Sequence, residues 1–236
     1  PNIKIFLLFD YGSNLENYSD IKNNIIIDNN DNYNGYANKG LKCKGFIPGI
    51  LSKTIYSFKK LQNEYDIFFR TNLSSMIHIT NLIEYIEDHK IIYSGFYVWG
   101  NSLRRDLQYH KKIGPNKSIK NLDELQEYPG NTFISGSSYF INSQELASIL
   151  ENEHKIRYDI IDDVSVGLML KNHESLDRKY HLCIRSSDVD DNVYNLIKRK
   201  LEKDVFHIRL QHFSTKTAYK YLNLMDKFNM IDFSVI

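Results

Sequence analysis

Proline is scarce in this chain of 236 residues, with 4 in all, and so are cysteine with 2 and tryptophan with 1. So few prolines exclude a collagen-like or proline-rich repeat. Cys43 and Cys183 stand far apart, with no metal-ligand spacing around either. That excludes a disulfide mini-protein, and two reduced, partly buried thiols are expected. Long apolar runs are missing as well. Ile3–Phe9 is broken by Lys4 and falls far short of the roughly 20 residues that span a bilayer. An excess of one charge is also absent, since Lys+Arg 30 against Asp+Glu 29 leaves a formal charge of +1. A dedicated nucleic-acid binder carries a basic excess, because phosphate contacts dominate its affinity. Neither nucleic acid nor a membrane is therefore expected as a partner.

What is present is ordinary for a globular protein: 42% hydrophobic and 25% charged residues, enough for one large domain. A single domain over residues 1–236 is the expectation. Asn occurs 24 times, ten of them in the first fifty residues, beside 17 Tyr and much Ile and Lys. All four use A/T-rich codons, so the bias reflects base composition, as in some protists and large DNA viruses, rather than function. No signal peptide is visible. The chain opens at Pro1 without a Met, as expected of a fragment lacking upstream residues. A soluble protein is expected, in the cytoplasm (of a host cell, or in a virion, if viral) or as the lumenal part of a longer chain.

Lys4–Asp10 (KIFLLFD) reads as a buried strand running into the loop Tyr11-Gly12-Ser13-Asn14, and Asn24–Asp28 (NIIID) as a second strand. Residues 29–49 carry loop chemistry. Ser52–Glu64 has Ile55, Phe58 and Leu61 at helical spacing, which predicts a helix capped at Ser52. Tyr65–Arg70 (YDIFFR) is a third strand leading into polar Thr71–Ser75, residues 79–88 a helix, and Ile91–Gly95 a fourth strand. Alternating strands and helices predict an α/β sheet with crossover helices. Ligands of such sheets sit beyond the carboxyl ends of the strands, which directs attention to Asp10–Ser13, Arg70–Ser75 and Ser94–Arg105.

In the second half, Asn131–Asn142 (NTFISGSSYFIN) fits a hairpin or a loop and strand near a ligand. Gln144–Glu153 is a predicted helix, and Asp159–Val164 opens another that runs through Leu170. Residues 215–228 make an amphipathic helix with Ala218, Tyr221, Leu222 and Met225 in one stripe. Asp162-Asp163 suits a helix start, where carboxylates complement the macrodipole and cap free N–H groups; one of the pair can cap while the other acts as a base. None of the eight histidines falls in an HExxH or H-x-E pattern, and no P-loop, dinucleotide fingerprint or nucleophile elbow occurs. Gly136-Ser137-Ser138 offers a hydroxyl without a recognisable His partner.

From Ile3 to about Leu170 the order of segments resembles the β-1,3-glycosyltransferase family that includes fringe-type and β-1,3-galactosyltransferase enzymes. Ile3–Leu8, Tyr18-Ser19-Asp20-Ile21 and Ile27-Asp28 resemble its opening strands, and Gly49–Thr54 is similar to its N-L-T-L-K-T helix start. Tyr65–Thr71 resembles the strand before its D-D-D motif. Tyr93-Ser94-Gly95 with Arg105 and Lys112 resembles Y-x-G…R…K-W without the Trp. Tyr128-Pro129 through Ser135–Ser143 is similar to Y-P-x-Y-x-S-G-x-G-Y-V-x-S, and Asp162–Gly167 to E/D-D-V-x-x-G. The family's R-x-x-I-R-x-T-W strand has no counterpart.

The resemblance implies a GT-A-like (Rossmann-like) α/β fold with a mixed, mainly parallel central sheet flanked by helices. It implies an inverting transfer of sugar from a nucleotide donor, UDP-linked, to a hydroxyl of a glycan or glycoprotein. Asp163 then matches the general base, with Asp162 as the alternative or the capping partner. Asp10, Lys53, Arg70, Asn72, Ser74 and Gly136 would meet the donor, and Arg105, Ser135 and Tyr139 the acceptor. Where the family carries D-D-D this chain reads Asn72-Leu73-Ser74. Carboxylates there hold a divalent ion against the diphosphate; neutral oxygens would hold Mn²⁺ or Mg²⁺ more weakly, with His207 as a further candidate ligand. A cation already bound to the nucleotide, or neutralisation by Arg70, would offset the loss. The alternative function is a non-catalytic GT-A-like module that binds a glycan or a protein.

Overall fold

Strands β1 (Leu7–Asp10) and β2 (Ile25–Asp28) pair in parallel, Leu7 opposite Ile25 and Asp10 opposite Asp28. Both are the apolar runs expected to be strands. The structure, a computed structural model, describes residues 3–10, 25–28, 48–72, 75–96, 98–99, 133–158, 162–170, 174–185, 191–211 and 230–232. The chain divides into two compact units. One gathers Pro1–Phe68, Val98–Ile134 and Ile141–His173, the other Phe69–Tyr97, Ser135–Phe140 and Glu174–Ile236.

In the first unit, helix α1 (Pro48–Leu61) packs on β1 and β2. It starts four residues before the expected Ser52, which is buried within the helix rather than capping it. Proline at a first helical position has its φ already set and has no N–H to lose. Leu51, Ile55 and Phe58 form the buried stripe. The small hydroxyls on α1 bond back into the helix, Thr54 Oγ1 to the Ile50 carbonyl at 2.8 Å and Ser57 Oγ to that of Thr54 at 2.8 Å. That removes the cost of burying them. Helix α3 (Ser143–Glu151) is capped by Asn142, whose Oδ1 accepts the Glu145 N–H at 2.8 Å. The pattern N-x-x-E makes that start readable in the sequence. Helix α4 (Asp162–Met169) buries Val164, Ser165, Val166 and Gly167 and packs against β7 (Phe133–Ile134). Strand β7 pairs antiparallel with β6 (Val98–Trp99).

Strands β3 (Ile67–Thr71) and β8 (Ser138–Asn142) join β5 (Tyr93–Gly95) and β9 (Glu174–Ser175) in the order β3-β8-β5-β9. The second unit also holds the order β10-β11-β4-β12, made of β4 (Ser75–His78), β10 (His181–Arg185), β11 (His207–Gln211) and β12 (Met230–Asp232). Strand β10 runs parallel to β11, whereas β4 is antiparallel to both β11 and β12. Helix α2 (Ile79–Asp88) follows β4 directly, and α5 (Asp191–Leu201) precedes β11.

The architecture is therefore mixed α/β, as expected. Among the described residues, however, the strands form four small sheets with parallel and antiparallel pairs, not one mainly parallel sheet. Of the hairpin or loop and strand expected at Asn131–Asn142, the described residues 133–142 form strand, turn and strand, with β7 and β8 in different sheets. Phe206 centres the second unit's core, with the rings of Phe69, Tyr85, Phe96, Phe140 and Tyr180 at 5.1–6.0 Å. No helix among the described residues is long and apolar enough to cross a membrane. The expected helix at 215–228 lies outside the described residues.

Candidate functional site

The expected site residues fall into both units, and each group has its own geometry. In the first unit, Asp162 and Asp163 form the first turn of α4, both half-buried. Asp163 Oδ1 accepts the Val164 N–H at 2.9 Å. Ser165 Oγ accepts the Arg157 N–H at 3.1 Å and ties the preceding loop to the same helix. One carboxylate oxygen of Asp163 is thus fixed by the backbone, which orients the group. Lys53 sits half-buried on α1. Asp10 ends β1 opposite Asp28, with its carboxylate outside the described residues.

In the second unit, β3 delivers alternate side chains to opposite sides, as a strand must. Arg70 faces the turn between β7 and β8. Its guanidinium donates to the Gly136 carbonyl and lies 5.8 Å from the centre of the Tyr139 ring. Ser135 Oγ accepts the Ser137 N–H at 3.4 Å within the same turn. Ser135 and Gly136 are half-buried, while Tyr139 is a core residue at 2% exposure, edge-on to Tyr93. The structure thus brings Arg70, Ser135, Gly136 and Tyr139 together. The Asn72 carbonyl accepts the Ser75 N–H at 3.1 Å. Ser74 and Arg105 lie outside the described residues.

Phe69 and Thr71 face the other way, towards a buried polar cluster. His207 opens β11 and His181 opens β10, opposite each other in register. Their Nδ1 atoms are 2.6 Å apart. His207 Nε2 lies 2.9 Å from Ser75 Oγ on β4 and 3.3 Å from Thr71 Oγ1, and Ser138 Oγ is 3.4 Å from its Nδ1. Phe96 stacks on the His207 ring at 5.4 Å and 6°. Burial first, then His181 and Arg209, hold the imidazole well below its usual pKa. The sequence reading missed this cluster because His181, Ser75 and His207 are remote in the chain. Its available signal was two short runs, HLCIR and HIRLQ, each opening on a histidine.

These observations test the donor set for a divalent ion. Asn72 and Ser74 supply neutral oxygens. Both ring nitrogens of His207, a candidate ligand by the resemblance, lie within hydrogen-bond reach of Ser75 and His181, which makes it a member of the buried cluster. Among the described residues, no three His, Cys, Asp or Glu side chains meet in a way that could hold a metal. Among the described residues, Asn72 and His207 by themselves do not make up the carboxylate donor set that a resident Mn²⁺ or Mg²⁺ takes. A scan against protein-family models finds none that matches the chain, and a search of the curated proteins returns no match.

Proposed function

We propose that the chain is an inverting glycosyltransferase with a GT-A-like α/β fold, using a UDP-sugar donor and a glycan or glycoprotein hydroxyl as acceptor. The observation that carries the reading is the run of six family-like motifs in order between Ile3 and Leu170. The half-buried Asp163, oriented by its bond to Val164, supports it, since a base must be both reachable and fixed. In the reaction, the acceptor oxygen attacks the anomeric carbon from the face opposite the diphosphate. Its proton passes to Asp163, the carbon–oxygen bond to the phosphate breaks, and UDP leaves. Carboxylates, with an ordinary pKa of about 4, are ionised at neutral pH and serve once the attacking oxygen turns acidic. Any divalent cation would come with the nucleotide. Such an enzyme would work in the cytoplasm or virion, or as the lumenal part of a longer chain.

The second reading is a non-catalytic module for a glycan or protein, favoured by the neutral Asn72-Leu73-Ser74 and by an Arg70 engaged with Gly136. Thermal shift with UDP and UDP-sugars, with and without Mn²⁺, separates the two. A ligand at 100 times its dissociation constant stabilises by about 2.7 kcal/mol. A donor that responds is then taken into a glycosidic-linkage assay with Asp163→Asn alongside. The amide keeps an oxygen for Val164 N–H but takes no proton, so turnover should fall by about 10² or more with the fold intact. Silence towards every nucleotide selects the binding module; equal turnover in the variant removes Asp163 from the mechanism.

A further inference from the structure

We infer that Ser165 is a positioning residue for Asp163: its hydroxyl clips the chain entering α4 to the helix, and so holds the first turn and the carboxylate on it in one place. This rests on the general-base reading given above. The clip runs from the Arg157 N–H to Ser165 Oγ at 3.1 Å, between residues eight positions apart. It closes, at its base, the segment between the turn Glu153–Lys155 and the start of α4. Ser165 is 1% exposed, so its hydroxyl serves the interior and not a substrate. Serine is a middling helix former, and a buried hydroxyl costs free energy unless it is bonded. The Arg157 N–H explains why one is tolerated inside a helix of 8 residues.

The start of α4 needs such a contact. The first N–H groups of a helix have no carbonyl within it to bond to, and the ends are where a helix frays. Asp162 and Asp163 are the first two residues of α4. Asp163 Oδ1 takes one of those donors, the Val164 N–H, at 2.9 Å. That bond fixes the carboxylate to the turn but does not fix the turn. Val164, Val166 and Leu170 are buried and hold the helix by apolar contact, which is non-directional and tolerates small rotations and slides. A hydrogen bond tolerates them less, because it weakens steeply as it bends. Side chains two positions apart on a helix do not face each other, so Ser165 acts on Asp163 through the backbone and not by touching it. A base works only from a near-attack placement, and a shift of about 1 Å can cost about 10² in rate.

The test is a double-mutant cycle on the full chain, with turnover read as UDP released from UDP-glucose, UDP-galactose or UDP-N-acetylglucosamine beside a pooled glycan acceptor. In the parent, Ser165→Ala should lower turnover about tenfold or more, while UDP affinity by calorimetry stays within about twofold. In Asp163→Asn the same change should alter turnover by less than about twofold, because no base is left to misplace. An equal factor in both backgrounds overturns the inference and leaves the base reading standing. So does parental turnover in Ser165→Ala, or a loss of UDP affinity in step with turnover. Asp163→Asn with parental turnover, or a parent that releases no UDP, overturns the base reading and takes the inference with it.

Should Ser165→Ala fail to fold, the other end of the clip decides. Arg157→Pro removes the donor N–H and leaves Ser165 in place. Ile156 already has φ −65° and ψ 128°, the extended backbone that a following proline requires. Arg157→Ala, which loses the side chain but keeps the N–H, is its control. Turnover in Arg157→Pro should fall about tenfold or more below that in Arg157→Ala, and the gap should close when Asp163 is Asn. Equal turnover in the two Arg157 variants overturns the inference, as does a gap that persists without the Asp163 carboxylate.

Discussion

Arg70 is the penultimate residue of β3, two positions before Asn72 in the Asn72-Leu73-Ser74 segment, where a cation could meet a phosphate or hold the fold. The side chain is seen at the second task. Its guanidinium donates to the Gly136 carbonyl and lies over the Tyr139 ring. A planar fork suits both contacts at once, one edge for the carbonyl and one face for the ring. Arg70→Met keeps much of the stem but leaves the Gly136 carbonyl without this donor. We expect a loss of about 1.5–3 kcal/mol, the scale of a hydrogen bond to a charged group. Arg70→Lys should restore part of it, since the charge returns without the fork. Urea unfolding of the three proteins reads this directly, and an unchanged midpoint for Arg70→Met would show that the turn stands without Arg70. Nucleotide affinity in Arg70→Lys then reports the charge alone, because the lysine keeps it.

At the scale of elements, α2 and α5 are joined by one side chain. Asn81 is buried in the first turn of α2, and its Nδ2 donates to the carbonyls of Leu201 at 3.0 Å and Val205 at 2.9 Å. Leu201 is the last residue of α5, whose final carbonyls have no partner within the helix. Asn81→Leu would fill the space but leave two buried acceptors unpaired. The expected loss is about 2–6 kcal/mol, from 1–3 for each such group, read by denaturant unfolding; a loss under about 0.5 kcal/mol would show that water replaces the amide. This clamp was not legible, since nothing local distinguishes Asn81 among 24 asparagines. Elements with local signals were legible. Triple Ile announced β2 and the spacing of Ile55 and Phe58 announced α1, whereas the Asn142…Glu145 cap went unread and the start of α3 was placed at Gln144. Where two local signals competed, the wrong one was read: Ser52 resembled a cap, but Pro48 began the helix. Strand β4 escaped because Ser75–His78 is four residues long and starts on a polar side chain, which only its pairing with β11 and β12 explains. Of the site, the motifs singled out Arg70 and Gly136 separately as donor contacts, and neither their link nor the histidine pair, which depends on strand register, was read.

For the molecule as a whole, the decisive fact is the distance in sequence over which the second unit is assembled. Strand β4 completes its pairing only when β11 and β12 arrive, and Ser75 meets a histidine 132 residues further on. Phe206, the centre of the aromatic core, comes from the same late segment. Contacts so remote form slowly, because a long loop must close before any of them is rewarded. The first unit differs, for all of its segments end by His173. A chain stopped after residue 173 therefore keeps every residue of the first unit. It deprives β4 of both flanking strands and strips Phe206 from Phe69, Tyr85, Phe96 and Phe140. Unpaired strand edges beside bare aromatic surface are templates for association. The fragment should bind a hydrophobic dye strongly and elute as aggregates, whereas the 236-residue chain should do neither. Light scattering at several concentrations, beside dye fluorescence, measures both. A fragment that stays monomeric and dye-free would mean that residues 69–97 find a stable arrangement without the late strands, and that the sheet order β10-β11-β4-β12 is not what protects β4.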